Sequence, residues 1–166
     1  MQYISSDTSV WIDYIMINLL ELPFRLPCFF CMSSDAIRDE LLSPPNFREQ
    51  LVSFGLLSLD LDDAELQLVI EYGRKYPQLS VYDRIALAIA RNRKFELLSG
   101  DGHLRKAATK ENVEVHGTLW ILDQLLSQSL ITDIEYDIAL QRLDSVNGFE
   151  VRLPPEEIRR RRRRDN

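Results

Sequence analysis

Short apolar runs alternate with amphipathic stretches along the whole of this 166-residue chain. Residues 3–6, YISS, read as a short strand ending at Asp7, and TSVWIDYIMINLL then shows helical spacing through Val10, Ile15 and Leu19. After breaks at Pro23 and Pro27, CFFCM reads as a buried strand. Ser33 or Ser34 starts a helix through Ala36, Ile37, Leu41 and Leu42, which Pro44-Pro45 stops. A further helix through Phe47, Leu51 and Val52 ends at Gly55, and LLSLDL follows as a strand. Asp62, Asp63 and Glu65 crowd a helix start, where the macrodipole favours acids. Ser80 opens VYDRIALAIARNR, whose Ala86, Ala88 and Ala90 are small enough for close packing on a sheet. FELLS is then a strand, DGHLRKAATK a helix and VEV a short strand, with TLWILDQLL and ITDIEYDIALQRL two more helices. Asn147-Gly148 makes a turn, and Pro154-Pro155 opens a last basic helix. This alternation predicts an α/β fold, a three-layer sandwich with a central, mainly parallel sheet flanked by helices.

The length fits one domain with a single sizeable core, and 45% apolar with 28% charged residues is ordinary for a soluble globular chain. Nothing in MQYISSD sets a basic stretch before an apolar one, which argues against a secretory signal. Asp13, Asn18, Glu21 and Pro23 interrupt the most apolar segment, so no membrane span is expected. Two cysteines make no disulfide framework, and the default location is a reducing cytoplasm. The net charge of −6 hides an asymmetry. Six of the 20 basic residues are Arg159 to Arg164, so residues 1–158 carry 14 Lys+Arg against 25 Asp+Glu. So acidic a body does not attract nucleic acid by its general field, and any such binding must be local. The expected division is a main domain over 1–150 and a basic C-terminal helix or tail over 151–166.

Four acids stand at the edges of apolar elements: Asp7, Glu40, Asp83 and Asp101. Asp7 and Asp101 each follow a predicted strand, at the edge where α/β sheets bind ligands. Asp83 lies in the first turn of a helix starting at the same rim, and Glu40 borders the apolar face of its own helix. Brought together, such acids repel by roughly 1 to 4 kcal/mol per pair at about 4 Å. A cluster of this kind persists when a cation neutralises it or some members take up protons. Hard oxygen donors suit Mg²⁺ or Mn²⁺. Each acid also has a plainer use: Asp83 fits a capping box with Ser80, Asp101 a helix cap, and Glu40 a solvated face. Asp7 is the hardest to explain that way.

The stretches SSDTSVWID, the acid Glu40 on the second helix, VYDRIALAIA and LLSGDGHLRKAA together resemble the PIN-domain nucleases. They resemble in particular the toxin ribonucleases of VapBC-type toxin–antitoxin pairs. The resemblance covers about residues 3–120, and HGTLWILDQLLSQSLIT with NGFEVRLPPEEI is similar to the C-terminal part of a PIN subgroup. It implies a parallel sheet flanked by helices and a single-stranded RNA substrate. It also implies metal binding by Asp7, Asp83 and Asp101, with Glu40 completing the catalytic set by positioning metal or water. Ser9 matches a supporting hydroxyl position. Where some members carry a further acid, this chain has His103. The implied partners are RNA, an antitoxin protein and a second copy of the chain.

Cys28 and Cys31 in C-F-F-C face opposite sides of a strand and have no second Cys/His pair, so buried core cysteines are expected. Arg91, Arg93, Lys94, Arg105, Lys106 and Lys110 follow Asp83 and Asp101 on their helices; they fit either phosphate contacts or favourable C-terminal helix charge. The arginine run fits a solvated tail, RNA phosphate or an acidic partner. The resulting expectation is a Mg²⁺- or Mn²⁺-dependent endoribonuclease in which water attacks in line, leaving a 5′-phosphate and a 3′-hydroxyl. The alternative is a PIN-like module that binds or scaffolds without catalysis. A phosphotransfer receiver fits poorly, because the adjacent acid pair and late lysine it needs lack the right context.

Overall fold

The structure, a computed structural model, describes residues 1–162. Strands β1 (Gln2–Ser6), β2 (Cys28–Ser33), β3 (Leu57–Leu59), β4 (Glu96–Leu98) and β5 (Val115–His116) form one sheet in the order β3-β2-β1-β4-β5. Every pairing in it is parallel. The chain winds outward from β1 to β3, then returns to the other side of β1 as β4. The order therefore reverses between β1 and β4, which leaves a crevice beyond their carboxyl ends.

Alternation along the strands divides the core between the two faces. Ile4, Phe30, Met32 and Leu98 join a large cluster with α1 (Ser9–Met16), α2 (Ser34–Glu40), α3 (Phe47–Phe54), α7 (Thr118–Ser127) and α8 (Asp133–Val146). Leu97 joins the opposite cluster with α4 (Asp63–Lys75), α5 (Val81–Arg93) and α6 (Gly102–Lys110). Ala86, Ala88 and Ala90 are buried there, and the close approach lets the Ser5 hydroxyl donate to the Ala86 carbonyl at 2.9 Å. The three-layer α/β sandwich expected from the element order is the one present.

Some boundaries moved for local reasons. Helix α1 stops at Met16 rather than continuing through Leu19, because Asn18 turns left-handed at φ 56°. The last strand begins at Val115 rather than Val113; Asn112 is left-handed at φ 58°, and Val113 is used in the core beneath α5. No helix among the described residues is long and apolar enough to cross a membrane. Cys28 and Cys31 are free thiols, Cys31 fully buried and Cys28 partly so.

Helix α9 (Pro155–Arg162) packs on α8, with Val151 and Ile158 fully buried in the large cluster. Its arginines are neutralised by the chain itself. Arg161 grips Asp123 at 2.7 Å and Glu157 at 2.9 Å, and Arg162 reaches Asp144 at 2.8 Å. Arg159 and Arg160 pair with Glu156 and Glu157 one turn back. The acidic partner of these four is therefore the protein's own body and helix start, where a solvated tail was one expectation. Arg163 and Arg164 lie outside the described residues.

Docking of α9 by one buried side chain sets a stability test. Ile158→Ala should lower unfolding free energy by about 2–5 kcal/mol, whereas Arg160→Ala, an exposed pair, should cost less than about 1 kcal/mol. Urea unfolding of the two variants separates them; equal small losses would mean that α9 is not anchored through its apolar face.

Candidate functional site

Asp7 is the first residue beyond β1, and its backbone N–H donates to the Leu98 carbonyl on β4 at 3.1 Å. That bond holds it in the crevice where the strand order reverses. The carboxylate is nearly buried, and three donors serve it. Oδ1 accepts from the Ser9 hydroxyl at 2.6 Å and the Ser9 N–H at 3.0 Å, and Oδ2 accepts from the Ser99 hydroxyl. Ser99 also accepts from the Asp101 N–H at 3.0 Å, and Ser9 accepts from the Gly100 N–H at 2.9 Å. Two serines thus stitch the end of β1 to the loop after β4.

Asp101 caps α6 by accepting from the Leu104 N–H at 2.9 Å. Asp83 sits in a capping box: Ser80 accepts from its N–H, and its Oδ2 accepts from the Ser80 N–H, both at 3.1 Å. The plainer uses foreseen for both acids are therefore real, and they position the carboxylates rather than replacing any further role. Glu40, the last residue of α2, is half-buried and accepts from the Thr8 hydroxyl at 3.0 Å.

The electrostatics link the acids in sequence. Burial pushes Asp7 up to about 7; the hydrogen bonds from Ser9 and Ser99 oppose that shift, and the charge of Asp83 adds to it. Asp83 is itself raised, first by burial and also by Asp101. Glu40 is raised by burial and by the charge of Asp83. The structure brings all four acids within electrostatic reach of a neighbour, though not into a tight cage. Among the described residues, only Glu96, Glu114 and His116 place three potential ligand atoms within 4.8 Å of one another.

One acid in this region escaped the sequence reading. Asp13 is buried on α1, accepts from the Thr118 hydroxyl at 2.5 Å, and is pushed up to about 6 by burial. It lines a small cavity of about 190 Å³ together with Ser9, Asp101 and Arg152. The signal was present as a lone acid in an apolar run, read only as an obstacle to a membrane span. A larger groove of about 540 Å³ adjoins it, sharing Gly100, Arg152 and Leu153 and walled by Arg105, Trp120 and Arg161.

The basic residues divide by position. Arg105 donates to the Ser99 carbonyl at 2.8 Å and so stands beside the acids. Arg93 instead forms an ion pair with fully buried Glu65 at 2.8 Å. Arg91 and Lys94 lie eight and eleven residues beyond Asp83, roughly 12–16 Å along the helix axis, and line a cavity with Glu96 and Asn112. His103 is exposed and shares a separate cavity with Lys106 and Lys110. Of the six basic candidates, Arg105 is the one bonded to the loop that carries Asp101.

The raised carboxyls fix the sign of a pH effect. An unfolded aspartate loses its proton near pH 4, whereas folded Asp7 keeps its proton to about 7. Between these values the folded state binds more protons, so stability falls as pH rises, by up to about 1.4 kcal/mol per pH unit per such group. Asp13, Asp83 and Glu40 act in the same direction. Urea unfolding in chelator should therefore show declining stability from about pH 4.5 to 7, and Asp7→Asn should flatten that decline. A slope unchanged by the substitution would mean that Asp7 ionises normally.

No curated protein and no solved structure matches this chain. A family model described as DUF3368, PIN domain, matches residues 3–165. PIN domains are in general metal-dependent nucleases, and both the parallel sheet and the acids at its switch point accord with that. With a match that spans nearly its whole length, this chain belongs to the PIN-domain family.

Proposed function

We propose that this protein is a Mg²⁺- or Mn²⁺-dependent endoribonuclease acting on single-stranded RNA. The observation that carries the reading is the linked repulsion of Asp7, Asp83 and Asp101 at the switch point. Asp7 and Asp83, each raised by burial and by a neighbouring carboxylate, fit a site built to be completed by a cation. The donors are all oxygens, the set that Mg²⁺ and Mn²⁺ prefer. Their spacing, too wide for a closed cage, suits an ion that binds one or two carboxylates directly and keeps several waters.

In this reading Asp7, Asp83 and Asp101 hold the metal, one or two of them directly and the rest through its waters. When bound, the ion supplies charge stabilisation at the scissile phosphate and a more acidic water. Ser9 and Ser99 fix both oxygens of Asp7, so this carboxylate need not reorganise as substrate enters. Glu40 is raised by its surroundings and held by Thr8, which suits a group that orients water and accepts its proton. Arg105 and exposed Arg152 stand beside this edge, where they offer local positive charge to RNA phosphates on an otherwise acidic body. The similarity of SSDTSVWID and LLSGDGHLRKAA to VapBC-type toxins extends the reading to a toxin held by a small antitoxin and acting as a homodimer. A short reading frame beside the gene, and the protein's mass in solution, test those two points.

Asp83→Asn should lower Mn²⁺-dependent cleavage of a mixed single-stranded RNA pool by about 100-fold or more, with the circular dichroism spectrum unchanged. RNA binding without cleavage in the wild type, at any Mg²⁺ or Mn²⁺ concentration, would instead indicate a non-catalytic module.

Metal linkage gives a readout apart from activity. Saturating Mn²⁺ at 100 times its dissociation constant should stabilise the wild type by about 2.7 kcal/mol. Thermal melts of Asp83→Asn should respond much less, and equal shifts in both proteins would place the ion elsewhere.

A further inference from the structure

The tightest group of potential metal ligands in the described residues lies away from the four acids, where β4 meets the edge strand β5. Strands β4 and β5 pair in parallel with Leu97 beside Val115 and Leu98 beside His116. Glu114 stands just before β5, its carbonyl accepting from the Leu97 N–H at 2.9 Å, which brings it beside Glu96 and His116. The His116 Nε2 lies 3.6 Å from a Glu96 oxygen and 3.5 Å from a Glu114 oxygen. It is buried and makes no hydrogen bond.

Those lengths are informative. They exceed a normal N–H···O hydrogen bond. Ligand atoms held at about 2.1 Å around a tetrahedral ion stand about 3.4 Å apart, close to the observed separations. A polar nitrogen withdrawn from water, lacking a hydrogen bond and facing two carboxylates at this spacing has the geometry of a metal ligand. The neighbouring contacts hold the set in place: Trp120 stacks on the imidazole at 3.9 Å between centroids and 10° between planes, and Gln2 donates to the second oxygen of Glu96.

We propose that Glu96, Glu114 and His116 form a Zn²⁺ site. One imidazole nitrogen with two carboxylates suits zinc, whereas Mg²⁺ favours all-oxygen coordination. Two carboxylates and a neutral imidazole carry a charge of −2, which a divalent ion cancels. The fourth position is left to water. The ion would clamp β5, a two-residue edge strand, onto β4. It would also fix His116 and Trp120, which wall the 540 Å³ groove beside Asp101. The carbonyl of His116 accepts from the Ser99 N–H at 2.9 Å, so the clamp bears on the serine that binds Asp7.

The test uses the full chain carrying Asp83→Asn, so that the acid site is weakened and the readout does not depend on RNA cleavage. Zinc competition against a chromophoric chelator should show one tight equivalent, and Co²⁺ substitution should give the intense visible absorption of a four-coordinate site. His116→Gln should weaken zinc at least 10-fold and abolish that absorption. Glu114→Gln should also weaken zinc; its side chain is 68% exposed, so the substitution is safe for folding. Zinc affinity unaffected by either change, or no tight equivalent in the parent, would overturn the site.

Discussion

Confinement of the Asp7 carboxylate at the switch point between β1 and β4 is the constraint on which the site depends. A charge there is opposed by burial and by Asp83, and three hydrogen bonds from Ser9 and Ser99 only partly compensate. Those same bonds tie β1 to the loop after β4, because Ser99 also receives the Asp101 N–H and Ser9 the Gly100 N–H. Geometry and electrostatics thus pull in opposite directions. The hydroxyls bring the strand ends together, and the carboxylates they gather push apart. A cation bound there would resolve the conflict without disturbing the hydrogen bonds, an argument for the proposed metal site that rests on geometry rather than on a count of acids.

The rest of the fold holds that edge steady from both faces. On one face, the alanines of α5 let the helix approach the sheet closely enough for Ser5 to bond Ala86, which sets the height at which Asp83 enters the rim. On the other, α1 presents Asp13 to Thr118, whose carbonyl accepts from buried Tyr14 at 2.9 Å. Helix α7 is thereby locked to α1 just behind Asp7. Arg161 then fastens α9 to Asp123 on α7. Arg161 accordingly contributes to the wall of the groove, and the charges of Arg159 to Arg162 are answered within the molecule.

Much of this arrangement was legible in the sequence because it is written in local signals. S-x-x-D at Ser80 and Asp83, the spaced alanines after it, and acids placed directly after β-rich runs each have a near-neighbour cause. The family likeness of SSDTSVWID and LLSGDGHLRKAA rests on the same short segments, and the family match bears it out. What could not be read was long-range pairing. Nothing near Asp13 in the sequence announces Thr118, 105 residues away. Nothing near Arg93 announces the buried Glu65 that claims it, 28 residues earlier. The arginine run left its role open for the same reason: the counter-charges Asp123 and Asp144 of Arg161 and Arg162 are supplied by helices that only folding brings alongside. Stretch-by-stretch reading sees charge but not what answers it.

If both proposed sites hold ions, the contrast between the two acidic groups would let one sheet sort two metals. At the switch point the donors are oxygens, spread widely enough that no three lie within 4.8 Å of one another. An ion that keeps its own waters fills such a gap, and one that must shed them gains little. At the β5 edge the donors lie closer together, and one is a buried imidazole nitrogen whose ring stacks on Trp120. That dehydrated nitrogen offers little to Mg²⁺ and much to an ion that favours four ligands. Spacing and donor type therefore point the same way at each site and opposite ways between them. Because the Ser99–His116 backbone bond joins the two, an ion that stiffens the edge would act on the first site through position alone, leaving its charge balance to the aspartates.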